Sequence, residues 1–248
     1  MIKILLDTNI WLGIAEDHKQ IPLLDTLITK VDRGEVALLV PKLVVDEFTR
    51  CRPKVAARAR ERLHGPLNQV TRAIREAGIA DEVTHDVLKY LSVFRQRHEL
   101  VGRATHVVLA RIALLLNNAT KLEASPGIKQ RAADRALLGL APCHHANKNA
   151  ITDAVLVETY FDCLRRKKSG DHHAFVTGNT HDFSAVGADE RTPHPDLVRG
   201  LTNRKSRYFV TLAECLQWID PDCTERDLTK YGRVSGSTSL PKIRAEME

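Results

Sequence analysis

The tightest constraint on this chain is the placement of its short apolar, β-branched runs. IKILL at 2–6 and VALLV at 36–40 are too short for helices and apolar apart from Lys3, as strands buried on both faces are. Between them, Leu23, Leu24, Leu27, Ile28 and Val31 recur at helical spacing over 22–33. Pro41 suits the first position of a helix, and Leu43, Val44 and Phe48 open its apolar stripe. Strand, helix, strand, helix predicts a parallel α/β sheet, because parallel neighbours need a long crossover and a helix supplies one.

From about 41 to 168 no further strand is legible. Leu63, Leu67, Val70 and Ile74 hold a helical stripe, which Gly65-Pro66 should break. Residues 83–98 and 104–118 read as further helices, and Ser125-Pro126 is a cap followed by a first-turn proline. Asn147 or Asn149 could cap a long helix carrying Ile151, Val155, Leu156 and Tyr160, which the RRKKSG stretch would end. Strands resume at 174–178 (AFVTG) and 207–210 (RYFV), and a short helix follows at 212–219. The expectation is one domain over 1–219 with a helical insertion at about 50–146, then a polar tail over 220–248.

Composition narrows the function classes. Aromatic residues make up only 5% of the 248, thin for a base-stacking platform. The longest apolar run, within ARIALLLNNA, falls far short of a membrane span, and Asp7 interrupts the N-terminal run where a signal peptide would continue. Five scattered cysteines form no CxxC pair, so neither a disulfide framework nor a zinc ribbon is indicated, and a reducing, cytoplasmic setting fits best. The net charge of +6 suggests a polyanion partner only weakly.

Acidic residues sit where parallel sheets place their ligands, past the ends of strands or at the starts of helices. Asp7 directly follows IKILL. Glu47 lies in PKLVVDEF, within the helix after VALLV, and Asp153 near the start of the helix opened by NKNAITDAVLVE. TGNTHDF, after AFV, supplies Thr177, Asn179 and Asp182. Carboxylates gathered in one cleft repel each other, and a hard divalent cation such as Mg²⁺ or Mn²⁺ relieves that repulsion through oxygen ligands. Two such ions can activate water and stabilise the leaving oxygen of a phosphodiester. No HExxH motif or spaced Cys/His set points to catalytic zinc. Glu158 points away from Asp153 and reads as structural.

The chain resembles the PIN-domain nucleases in LLDTN with Asp7, PxxVxxEF with Glu47, ITDAVLVE with Asp153 and FVTGNTHDF with Thr177, Asn179 and Asp182, all in the family's order. The resemblance covers 1–50 and 147–215. It implies a PIN-like three-layer α/β fold with a central parallel sheet, here enlarged by the helical insertion. It further implies a metal-dependent nuclease, usually acting on RNA. Carried over, Asp7, Glu47 and Asp153 are the metal-binding acids. Asn179 stands where the family often has Asp, and Asp182 is the substitute ligand. Asn9, Thr177 and Asn179 would orient substrate or water.

Residues 50–75 carry eight Lys and Arg against Glu61 alone, a surplus larger than the whole chain's net charge. Arg50, Arg52 and Arg58 lead this stretch away from Glu47 and are the candidate phosphate contacts. An Arg-rich solvated face or a docking face for an acidic protein is the simpler alternative. Cys143-His144-His145 and His172-His173 read as solvated loops rather than metal ligands. The expected function is therefore a nuclease dependent on Mg²⁺ or Mn²⁺, with RNA ahead of DNA as partner and no membrane. The alternative is a non-catalytic PIN-like module that binds RNA or protein. A protein partner or inhibitor and a homo-oligomer stay open. A phosphatase or nucleotide hydrolase ranks below both, since there is no Walker loop and no DxD after the first strand.

Overall fold

A computed structural model describes residues 1–78, 82–145, 150–166, 170–187 and 189–221. The chain opens with β1 (Ile2–Leu6), α1 (Thr8–Glu16), a 3-10 turn (His18–Gln20) and α2 (Ile21–Asp32). Then come β2 (Val36–Leu38), β3 (Val40–Pro41), α3 (Lys42–Glu76), α4 (Glu82–Asn118), β4 (Lys121–Leu122) and α5 (Pro126–Leu137). The last part holds α6 (Ile151–Arg165), β5 (His172–Val176), α7 (Thr180–Phe183), α8 (Pro195–Leu201), β6 (Ser206–Phe209) and α9 (Leu212–Ile219). No described helix is long and apolar enough to cross a membrane.

The main sheet has four parallel strands in the order β2-β1-β5-β6, with Ile2 beside Val36 and His172, and Val176 beside Leu6 and Phe209. Successive residues Ile4, Leu5 and Leu6 are all buried, as are Ala174, Phe175 and Val176, so both faces of the central strands are covered. Trp11 and Ile14 of α1, Tyr160 of α6 and Phe183 of α7 complete this core, and the Phe175 ring lies 5.2 Å from Tyr160 and 5.4 Å from Phe183. The chain leaves β1 for β2 on one side and returns to β5 on the other. The loops after β1 and β5 therefore diverge and open a crevice at the carboxyl ends of the strands.

The structure revises several sequence-level expectations. The VALLV run splits: Leu39 still donates its N–H to Ile4, but Val40–Pro41 then pairs with Lys121–Leu122 in a second, two-stranded sheet. A two-residue strand such as β4 is too short to leave a periodic signal, and it lies inside the stretch expected to hold no strand. Gly65-Pro66 does not break α3, which also passes through Pro53. Each interior proline costs about 3 kcal/mol. Packing offsets this: Val55 and Ala59 are buried just past Pro53, and α3 lies against α4. The two expected helices at 83–98 and 104–118 are one helix, α4, whose backbone runs through Gly102 at a cost near 1 kcal/mol.

Other expectations hold in detail. Ser125 caps α5 by accepting from Ile128 N–H, and α9 spans the residues assigned to the last helix. Glu158 is structural, paired with Arg131 and Arg135 of α5. Asn147 and Asn149, Lys167 and Lys168, and the tail beyond 221 lie outside the described residues.

Candidate metal centre

Asp7 stands at the end of β1, where its backbone N–H still bonds Val176 across the sheet. Its Oδ1 accepts from Thr8 N–H at 2.6 Å, capping α1. Its Oδ2 accepts from the Thr177 hydroxyl and from Asn9 Nδ2, both at 2.7 Å. Asp7 is only 5% exposed, and burial pushes its carboxyl up to about 6. The bonds from Thr177, Thr8 and Asn9 pull the other way, while the neighbouring charge of Glu47 adds to the rise.

Glu47 approaches from α3. Its Oε2 accepts from the Thr8 hydroxyl at 2.8 Å, so adjacent residues at the start of α1 hold Asp7 and Glu47. Asp46 beside it is exposed, which settles which of the two acids faces the site. Asp153 lies in the first turn of α6 and accepts from Asn179 Nδ2 at 3.4 Å. The same Nδ2 donates to Asp182 Oδ2 at 2.7 Å, and Asp182 is fully buried. One amide therefore bridges two carboxylates from α6 and α7.

Thr177 ties the two halves together. Besides bonding Asp7, its oxygen accepts from Asn9 Nδ2 at 3.2 Å and from Asn179 N–H at 3.1 Å. Asn9 in turn accepts from Gly178 N–H at 3.0 Å. The hydrogen bonds of Thr177 and Asn9 thus fix Asp7 and the loop after β5. Of the basic candidates, Arg50 has its guanidinium 3.9 Å from Glu47, and Arg58 has its own 3.9 Å from Glu16. Both are largely exposed, and Arg52 is half-buried. The side chains of Arg60 and Arg62 lie outside the described residues.

Sequence reasoning missed the histidines. His181 Nδ1 lies 3.0 Å from Asp182 Oδ1, and His145 Nε2 lies 3.8 Å from the same oxygen. The Cys143-His144-His145 loop, expected to be merely solvated, packs against the site: Cys143 has its thiol raised by burial and by the charges of Asp153 and Asp182. The available signal was His181 next to Asp182 in THDF. Its distant partner, His145, becomes a neighbour only through the fold.

The structure brings Asp7 and Glu47 together through Thr8, and Asp153 and Asp182 together through Asn179, and the oxygen donors of these two pairs suit a hard divalent ion. The raised Asp7 carboxyl is the physical sign of that fit, since a buried anion beside Glu47 gains most from a cation. A family model described as PIN domain matches residues 4–183. No curated protein and no solved structure matches the chain significantly.

Proposed function

The chain belongs to the PIN-domain family, and from that premise we propose that it is a metal-dependent nuclease hydrolysing phosphodiester bonds, with RNA as its substrate. PIN domains are typically nucleases that use divalent metals. The observation that carries the proposal for this chain is Asp7. It is buried at the switch point of the sheet, its carboxyl is raised by burial and by Glu47, and it is held by three donors.

Asp7, Glu47, Asp153 and Asp182 would hold Mg²⁺ or Mn²⁺. When bound, such an ion supplies Lewis-acid stabilisation of the charge that builds on a phosphate under attack by water. The chain's own residues do the positioning. Thr8 sets Glu47 beside Asp7, Thr177 and Asn9 fix the Asp7 carboxylate, and Asn179 aligns Asp153 with Asp182. Arg50, Arg52 and Arg58 lead away from Glu47 along α3 and would bind the phosphates flanking the cleaved bond. The test is cleavage of single-stranded RNA and DNA with Mg²⁺ or Mn²⁺, against EDTA and against Asp7→Asn.

A second reading, a non-catalytic module binding RNA or protein, has one observation in its favour. The Asn179 amide already bridges Asp153 and Asp182, doing part of the work a cation would do. Salt-sensitive RNA binding without cleavage would favour it.

A further inference from the structure

Asp182 has two faces. Its Oδ2 is taken by Asn179 on the side of Asp153, while its Oδ1 turns toward two imidazoles. His181 precedes it on α7, and His145 arrives from the loop after α5. One ligand atom from each of His145, His181 and Asp182 lies within 4.8 Å of the others. Bonds of about 2.0–2.1 Å to a common ion place its ligand atoms roughly 3 to 3.5 Å apart. The separations of 3.0 and 3.8 Å to Oδ1 bracket that range. His181 is 69% exposed, so its ring has room to turn.

The loop that carries His145 is held from three directions. Arg135 donates to Ala141 O at 2.8 Å, Ala141 N–H donates to Asp196 at 2.9 Å, and Cys143 N–H donates to Leu140 O at 2.8 Å. The His145 ring is further fixed between neighbours, stacked on His181 at 4.0 Å and beside His144 at 3.9 Å. His144 lies 4.6 Å from His194, and both of its buried ring nitrogens lack a hydrogen-bond partner among the described residues. His145 Nε2 lies 3.0 Å from His181 O, a contact that an ion would replace. Two imidazoles at the Asp182 Oδ1 atom, backed by those of His144 and His194, form a nitrogen-rich environment, while Oδ2 of the same carboxylate faces the oxygen donors on the side of Asp153.

We propose that His145, His181 and Asp182 form a second site, for a borderline divalent transition ion of the Zn²⁺ type. Imidazole nitrogen favours such ions, whereas Mg²⁺ prefers oxygen. Two imidazoles and one carboxylate leave coordination positions open to water. Asn179, bonded to the far oxygen of Asp182, orients the carboxylate as outer partners of metal sites do. The proposal goes beyond the nuclease reading and does not rest on it.

The experiment is calorimetric titration of the full chain with Zn²⁺ in excess Mg²⁺, repeated with Co²⁺ while following its visible absorption. We expect one ion per chain at this site and Co²⁺ bands typical of mixed nitrogen and oxygen ligation. Affinity should fall at least about tenfold in His181→Ala and in His145→Ala, with circular dichroism confirming that both fold. Asp7→Asn should bind Zn²⁺ as the wild type does. Unchanged Zn²⁺ affinity in both histidine variants, no binding by the wild type, or loss of binding in Asp7→Asn would each overturn the assignment. A chain that takes up Zn²⁺ in this way and cleaves nothing would refute only the nuclease reading. A chain that cleaves RNA but shows no histidine-dependent uptake would refute only this one.

Discussion

Asp7 concentrates the electrostatics of the molecule in one side chain. Its folded value near 6 stands above the ordinary 3.8, so between those values the metal-free fold holds this proton more tightly than the unfolded chain does. The resulting contribution to stability is complete below 3.8 and is lost as pH rises through about 6. A shift of about two units corresponds to roughly 3 kcal/mol, from which Asn would lose part through a missing acceptor for Thr177 or Asn9. Asp7→Asn should therefore stabilise the metal-free protein at pH 7.5 by about 1 to 2 kcal/mol, with the gain gone by pH 4. Urea unfolding with chelator at both pH values checks this, and no gain at pH 7.5 would contradict it. The same proton competes with metal, so Mn²⁺ affinity of the wild type should fall about tenfold per pH unit below 6. Asn179 offers the converse test. Asn179→Asp removes the amide bonds to Asp153 and Asp182 and adds a charge, so the melting temperature should drop by several degrees in chelator and recover with Mn²⁺. An unchanged melting temperature in both conditions would show that the amide bridge does little.

At the scale of elements, α3 joins the acidic crevice to the long helical pair. It starts beside the sheet, presents Glu47 to Thr8 and then carries Arg50, Arg52 and Arg58 outward. If these arginines grip phosphates, each Arg→Ala should weaken RNA binding alike across sequences. Each should also reduce the salt slope by about one unit or slightly less. A flat salt dependence of the wild type would instead assign this face to a protein partner. How far the elements were legible follows from their signals. Buried strands such as IKILL and helices with caps, such as α5 behind Ser125, declare themselves through short, largely apolar runs and capping chemistry. The continuity of α3 through Pro53 and Pro66 was not legible, because tertiary packing overrode a local penalty. β4 was missed because two residues carry no period. The motif order brought Asp7, Glu47, Asp153 and Asp182 into view. The histidines stayed hidden because the proximity of His145 to His181 arises only when the α5–α6 loop folds against α7.

For the molecule as a whole, parallel topology makes the crevice, and Thr177 and Asn179 link Asp7 at its edge to Asp153 and Asp182. β1 and β5 lie side by side yet send their chains in different directions, and Asp7 and Thr177 meet where they part. Residues 50–75 of α3 carry a surplus of positive charge, with Arg50 exposed next to Glu47, while the rest of the chain is near neutral. The central claim is that the carboxylates of this crevice hold a divalent ion that cleaves nucleic acid. Asp153→Asn tests it most directly. It retains size, removes one charge and leaves the three donors that hold Asp7 in place. Its fold and unfolding midpoint should match the wild type or exceed it slightly in chelator, since carboxylate repulsion falls. The measurement is cleavage of single-stranded RNA by purified wild type and Asp153→Asn, with Mn²⁺ or Mg²⁺ and with EDTA. The account predicts metal-dependent cleavage by the wild type and a fall to background, at least about a hundredfold, in the variant. Equal cleavage by the two proteins, or cleavage that survives EDTA, would contradict it.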